Sequence, residues 1–177
     1  MNLEQLKLPD FAKDIRLNLS NLFGNIAHTG LSNSQFYGVA LAVAYSLKQP
    51  QLINAIKQDA EGLTPELEQA AKTAATLMAM TNLYYRFVHL AEDKELSPMP
   101  ANLRMNGLRG HGISQSDFEL FALAVSAVNG CGLCITSHLQ QLIKEGISRA
   151  AIQASIRLTA TLSAAAQALA IVESESV

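Results

Sequence analysis

The sequence lacks tryptophan and contains only two cysteines, Cys131 and Cys134, among its 177 residues. Two cysteines are too few for the disulfide framework that stabilises many small secreted domains. In cytosolic proteins, disulfides are usually catalytic or transient. The pair, in the segment CGLCITSH, is therefore the first candidate for chemistry.

The sequence also lacks an excess of charge of one sign and long apolar runs. The formal net charge is −2, and lysine and arginine form no basic stripe, so nucleic-acid binding is not expected. No uninterrupted apolar run reaches the ~18 residues of a membrane span, and residues 1–19 contain no apolar signal-peptide core. We therefore expect a cytoplasmic protein without membrane association, whose partners are proteins or small molecules.

Helical periodicity dominates what is present. Apolar residues make up 49% of the chain and recur every three or four positions in residues 65–87 and 148–173. No segment alternates apolar and polar residues over the length of a strand. The prediction is an all-α fold in which a loop-like segment, residues 90–114, links two halves. Helix-boundary residues are Ser116 and Asp117 before one helix, Asn129-Gly130 after it, and Thr64-Pro65-Glu66 and Gly146-Ile147-Ser148 at the start of two others.

The chain contains an internal repeat. Residues 32–46 match residues 114–128 at a constant offset of 82 positions. Further matches keep register after small insertions, as in residues 61–64 with residues 145–148. We predict a single domain, residues 1–177, built from two similar helical halves at roughly residues 32–88 and 114–172.

Four residues distinguish the second half from the first. They are listed with the residue at the equivalent position of the first half in parentheses: Glu119 (Tyr37), Cys131 (Gln49), Cys134 (Leu52) and His138 (Ile56). If packing alone required these four residues, the duplicated scaffold would be expected to retain similar residue types. The four residues are therefore the candidate functional set.

The spacing of this set suggests how it works. Gly130 ends one helix, so Cys131 is expected in the first turn of the next, where free N–H groups and the helix dipole favour a thiolate. Residues 131, 134 and 138 fall within about 60° on a helix surface, which places His138 beside Cys134 for proton exchange. A carboxylate in an apolar run needs a partner, and an antiparallel hairpin would return Glu119 to the cysteines.

Other interpretations of the same residues remain open. The two cysteines are also small apolar residues suited to packing. Together with His138 and Glu119 they would supply four zinc ligands, although structural zinc sites prefer cysteine and histidine throughout. The remaining histidines, His28, His89 and His111, have no such context and are assigned to the surface or to loops.

The spacing Glu119, Cys131, Cys134, His138 closely resembles the signature of the alkyl hydroperoxide reductase D (AhpD) family, within the carboxymuconolactone decarboxylase-like superfamily. The segments LPDFAKDIRLNLSNL, MAMTNLYYRF, LRMNGL and FELFALAVSAVNGC are also similar to that family. The resemblance implies an AhpD-like helical fold, usually a homotrimer, and an antioxidant peroxidase without a bound cofactor. It also implies reduction by the dihydrolipoyl group of a lipoylated protein and electron transfer to a peroxiredoxin, alkyl hydroperoxide reductase C.

The resemblance also implies a role for each residue. Cys134 would be the peroxidatic sulfur that becomes a sulfenic acid, and Cys131 the more accessible proton donor that resolves it to a 131–134 disulfide. Glu119 and His138 would form the proton relay. One departure is Leu133, because some family members carry a histidine there, and we expect it to alter rate and pH dependence. A redox adaptor with little peroxidase activity and a zinc-stabilised interaction module remain the alternatives.

Overall fold

Helices form all the regular secondary structure in residues 6–60 and 62–175, which are the residues that the computed structural model describes. The terminal residues 1–5 and 176–177 lie outside this description, as does Glu61, the first residue of one predicted repeat match. The helices are α1 (Lys13–Gly24), α2 (Asn33–Ser46), α3 (Pro50–Asp59), α4 (Pro65–Ala91), α5 (Gln115–Val128), α6 (Gly132–Lys144) and α7 (Arg149–Glu175). The predicted all-α fold is confirmed.

Helices α2 and α5 form the centre of the molecule. Nine consecutive residues of α2, from Phe36 to Ala44, are buried, because α2 packs against α3, α4, α5 and α7. Helix α5 packs in the same way against α2, α4, α6 and α7. A side chain at Gly38 would overlap the ring of Phe121, so the glycine permits the close approach of the two central helices. A helix that is apolar on all sides suits this central position.

The helices of the two halves correspond in length and in their caps. Helices α2 and α5 have 14 residues each, and α4 and α7 have 27 each. Ser32 and Ser114 cap α2 and α5 by accepting the N–H of the third helical residue, each at 3.2 Å. The expectation that Ser116 and Asp117 precede α5 is therefore wrong, since both lie in its first turn. The other predicted boundaries, at Thr64-Pro65, Asn129-Gly130 and Ser148, are confirmed.

The segment between the halves is a loop, as predicted. It runs from the end of α4 to the start of α5 and contains one short 3-10 turn, Asn106–Leu108. The carbonyl of Leu108 accepts a long hydrogen bond, 3.5 Å, from the side chain of Gln115 in α5. The link therefore contacts the first turn of α5, four residues before Glu119.

Helix α7 is the one helix, among the described residues, that is long and apolar enough to cross a membrane. Serine, threonine and glutamine interrupt its apolar residues, so it contains no uninterrupted apolar run of that length. Eleven of its residues are buried, and it packs against α1, α2 and α5. Core helices of globular proteins meet the same criteria, so this helix is weak evidence for a span.

Candidate active site

The two cysteines lie where α6 begins. Gly130, with a φ of +67°, reverses the chain after α5. Cys131 is the N-cap residue of α6, and its Sγ accepts the backbone N–H of Cys134 at 3.3 Å. The position predicted for Cys131 is thus wrong by one residue, since it caps the first turn rather than lying within it. The two sulfurs are 2.12 Å apart and form a disulfide.

Only one of the two sulfur-bearing residues has measurable exposure. Cys131 is 0% exposed, whereas Cys134 is 7% exposed and lines a cavity at the surface. The expectation that Cys131 is the more accessible cysteine is therefore wrong for this disulfide form of the chain. Both cysteines are buried in this conformation, and of the two only Cys134 lines the cavity.

Glu119 and His138 form a hydrogen-bonded pair across the α5–α6 hairpin. The distance from His138 Nδ1 to Glu119 Oε2 is 2.6 Å, and both side chains are largely buried, at 15% and 13% exposed. The predicted α5–α6 hairpin is confirmed, and the residue that it brings against Glu119 is His138. Burial alone would raise the pKa of the Glu119 carboxyl, but hydrogen bonds from His138 and Gln115 outweigh it, so the pKa is lowered.

This pair determines which nitrogen of His138 carries the proton. An ionised carboxylate only accepts hydrogen bonds, so the Nδ1 of His138 must donate. In the neutral imidazole, Nε2 is then the nitrogen with a free lone pair. Glu119 therefore fixes the orientation of the His138 ring, one helical turn after Cys134, and His138 and Cys134 line the same cavity.

This cavity, which we call the cysteine cavity, has a volume of about 450 Å³. Helix α4, the linking segment and α6 all contribute to its wall. The residues that line it include Met78, Tyr85, Leu108, Leu133, Cys134 and His138. Leu133 is 45% exposed. A mostly apolar cavity with a few polar groups is typical of small-molecule sites.

A cluster of polar side chains, which the sequence did not predict, joins α4 to the α5–α6 hairpin. Asn82 of α4 donates to Ser126 Oγ at 3.0 Å, and Asn129 donates to Asn82 Oδ1 at 3.0 Å. Arg86 donates to the carbonyl of Asn129 at 2.5 Å. These bonds hold the turn that precedes Cys131 against α4. The signal in the sequence was the polar pair Thr81-Asn82 within an otherwise apolar helical face.

His111 lies in a loop, in agreement with its assignment to the surface or to loops, but it is buried. Although it lies in the linking segment, it is only 8% exposed, and its ring stacks on Phe118 with centroids 4.2 Å apart. Its Nε2 lies 3.1 Å from Gln115 Oε1, and Gln115 in turn donates to Glu119. His28 and His89 are exposed, as predicted.

The zinc interpretation requires four ligands facing one point. In this form the two sulfurs bind each other, and Nδ1 of His138 is occupied by Glu119. No group of three or more histidine, cysteine, aspartate or glutamate side chains within residues 6–60 and 62–175 is arranged to hold a metal ion. The geometry therefore favours the redox interpretation of the pair.

Comparison with known proteins gives a consistent result. The Carboxymuconolactone decarboxylase family matches residues 94–174, which include all four candidate residues. A protein of Coxiella burnetii named "Alkyl hydroperoxide reductase AhpD" is 52% identical over 171 residues, 96% of each chain. Proteins of the same name from Maricaulis maris (96% of this chain, 98% of the relative) and Rhodopseudomonas palustris (94% and 92%) are each 47% identical. With this identity over almost its whole length, the chain belongs to the alkyl hydroperoxide reductase AhpD family.

Proposed function

We propose that this protein is an alkyl hydroperoxide reductase that uses Cys134 as the peroxidatic residue. The observation that carries the proposal is the Glu119–His138 pair, with a separation of 2.6 Å, on the same hairpin as Cys134. Of this pair, His138 lines the same cavity as Cys134. The relatives' name supports the reaction class. The position of Cys134 on the cavity wall, which Cys131 does not share, supports the assignment of the peroxide to Cys134.

In the reduced protein, Nε2 of His138 takes the proton of the Cys134 thiol, and Glu119 stabilises the imidazolium that forms. The thiolate attacks one peroxide oxygen, and the O–O bond breaks. The imidazolium of His138 gives its proton to the departing alkoxide, so the products are an alcohol and a sulfenic acid on Cys134. The Cys131 thiol then attacks that sulfur, which releases water and forms the disulfide.

The disulfide has to be reduced before the next turnover. We propose that a dihydrolipoyl group of a lipoylated dehydrogenase-complex protein supplies the two electrons by thiol–disulfide exchange, so that the protein needs no bound cofactor of its own. Exchange at Cys131, the role implied by the family resemblance, requires the first turn of α6 to move, because Cys131 is buried in the disulfide form.

The remaining parts of the proposal concern partners and assembly. We propose that the reduced protein also passes electrons to the peroxiredoxin alkyl hydroperoxide reductase C. We further propose that it acts in the cytoplasm as a homotrimer, without nucleic acid or membrane as partners. The exposed apolar side chains Leu83, Phe87 and Leu90 on one face of α4 support an assembly of this kind.

Two cysteine variants test the peroxidase step. With dihydrolipoamide as reductant and tert-butyl hydroperoxide as substrate, Cys134→Ser is expected to reduce peroxide consumption to the background rate. Cys131→Ser is expected to accumulate a sulfenic acid at Cys134 after one equivalent of peroxide, detected by mass mapping. Continued turnover by Cys134→Ser would overturn the proposal.

The same preparation discriminates the two alternatives. A pure redox adaptor would consume peroxide only when the peroxiredoxin is added. A zinc-stabilised module would contain stoichiometric zinc and protected thiols. Two titratable thiols that are lost on peroxide addition, with turnover in the absence of the peroxiredoxin, are the expected results.

A further inference from the structure

A line of hydrogen bonds leads from the linking segment to the carboxylate of Glu119. The backbone N–H of Ile113 donates to His111 Nδ1 at 3.4 Å, and His111 Nε2 lies 3.1 Å from Gln115 Oε1. Gln115 Nε2 donates to Glu119 Oε1 at 2.8 Å. The other carboxylate oxygen, Oε2, accepts the proton on His138 Nδ1. Hydrogen bonds therefore connect four side chains in sequence, and the last of them is the proposed base: His111, Gln115, Glu119 and His138.

The direction of every bond in this chain is fixed. A backbone N–H can only donate, so Nδ1 of His111 must be unprotonated, and its Nε2 must carry the hydrogen. Gln115 then accepts with its oxygen and donates with its nitrogen to Glu119. The carboxylate is the end point for donors from both sides, so His138 has to present Nδ1–H to it. Each donor and acceptor is therefore consistent with Nε2 of His138 being the free base.

The first half of the molecule shows what the fold alone requires. Thr29 precedes His111 by 82 positions, and its Oγ1 accepts the N–H of Leu31 at 3.1 Å, as His111 accepts that of Ile113. A threonine therefore suffices to satisfy the backbone of this loop. The histidine adds a second nitrogen, on the far side of the ring, that continues the chain to Gln115. Only the half that carries the cysteines has this addition.

We propose that His111 and Gln115 are positioning residues, which hold the Glu119 carboxylate so that it fixes the tautomer and orientation of His138. This inference rests on the proposed function of the site. Neither residue lines the cysteine cavity, so both act through Glu119. His111, the first side chain in this series of hydrogen bonds, stacks on the buried ring of Phe118 and is thereby fixed against the core.

The hydrogen bonds from His111 to Glu119 affect how the proposed reaction depends on pH. The ionisable groups around Glu119 are His138 and Lys144 from α6, and Arg109 and His111 from the linking segment. The hydrogen bond from Gln115 lowers the pKa of the Glu119 carboxyl, so removing that bond raises it. Glu119 would then become protonated, and the relay would be lost, at a higher pH than in the unaltered protein.

Two variants and one matched control test the proposal. Gln115→Leu removes both hydrogen bonds at the centre of the chain, and His111→Thr restores the arrangement that the first half uses. Asn33→Leu is the control, because Asn33 is exposed and begins α2 as Gln115 begins α5. Melting temperatures establish that each variant is folded.

The first measurement is the tautomer of His138 in the oxidised protein, from the ¹⁵N NMR shifts of its ring. We expect Nδ1–H to dominate in the unaltered protein and in Asn33→Leu, and a larger share of Nε2–H in Gln115→Leu and His111→Thr. The second measurement is the pH profile of kcat/KM. Its acidic limb should move to higher pH in both variants, with a loss of about fivefold near neutral pH for Gln115→Leu, as expected for one hydrogen bond.

An unchanged tautomer and an unchanged pH profile in folded Gln115→Leu would overturn the proposal. A fall in melting temperature alone, with both readouts unaltered, would mean that the chain only stabilises the fold. If the unaltered protein reduces no peroxide, the proposed function fails. The NMR measurement still decides the positioning role in that case, because it uses no substrate.

Discussion

Glu119 and Tyr37 occupy equivalent positions in the two halves but serve different purposes. Tyr37 packs against Phe23 and Phe36, with ring centroids 6.1 and 5.7 Å apart. Glu119 is almost as well shielded, yet it carries an ionised group whose two oxygens accept hydrogen bonds from Gln115 and His138. Because an unpaired buried carboxylate is costly, these donors are what allow the charge at this position.

The charge of Glu119 can be removed with little change of shape. We expect Glu119→Gln to lower kcat/KM by about 100-fold, because the neutral amide no longer stabilises the imidazolium of His138. Steady-state kinetics with an alkyl hydroperoxide and dihydrolipoamide measure the effect. Glu95→Gln, in the exposed part of the linking segment, is the control. A Glu119→Gln enzyme with the same kcat/KM as Glu95→Gln would contradict the relay.

At the scale of the helices, one carboxylate joins three elements of the first half. Glu68 Oε1 in α4 accepts hydrogen bonds from Tyr45 of α2 at 2.8 Å, from Lys57 of α3 at 2.9 Å and from Lys72 at 2.8 Å. Bonds from Lys72, Lys57 and Tyr45 lower the pKa of Glu68 to about 2. Burial and the same carboxylate raise the pKa of Tyr45 to about 12, so its hydroxyl remains a donor.

The hydrogen bonds to the ionised Glu68 carboxylate predict that the folded protein loses stability in acid. The pKa of Glu68 is lower in the folded chain than its ordinary value of 4.5, so its contribution to the free energy of unfolding is fully present above that pH. It is lost as the pH falls from about 4.5 towards about 2. Urea denaturation at several pH values should show Glu68→Gln less stable than the unaltered protein at pH 7, with the difference shrinking below pH 4.5.

Glu66→Gln is the matched control for this measurement, since Glu66 lies in the same first turn of α4 but is exposed. It should follow the unaltered protein at every pH. If the stability difference between Glu68→Gln and the unaltered protein stayed constant as the pH fell, the charge of Glu68 would not be what stabilises the fold.

At the scale of the whole molecule, α4 carries a stripe of exposed apolar side chains. Leu83, Phe87 and Leu90 are spaced as neighbours on one helix face and are 62, 57 and 70% exposed. The cysteine cavity draws Met78 and Tyr85 from the same helix. Leu83, Phe87 and Leu90 form an apolar face of α4 that the single chain leaves uncovered.

The proposed homotrimer can be tested on this face. Phe87→Glu places a charge in the centre of the apolar stripe, and we expect it to shift the molar mass in solution from three chains to one, because burying an unpaired charge is costly. Static light scattering after size-exclusion chromatography measures the mass. Leu17→Glu makes a similar change at an equally exposed residue of α1 and should leave the assembly intact. Dissociation by Leu17→Glu alone would place the interface elsewhere.

The sequence by itself determined the features that depend on neighbours along the chain. Helical periodicity, the caps at Thr64-Pro65 and Ser148, and the turn at Gly130 are local properties, and helix pitch alone places Cys134 and His138 on one face. The contact between Glu119 and His138 was also predictable, because a short turn joins their helices and forces them to pack side by side.

Only the tertiary structure decided which faces of separate helices meet. Periodicity gives the apolar face of α4 but not its rotation relative to α6, so the cavity wall from Met78 and Tyr85 could not be foreseen. The burial of His111 depends on how the linking segment folds over Phe118, and that of Cys131 on how α6 packs. These contacts join residues distant in the chain, and they are set by packing of the whole core rather than by any local pattern.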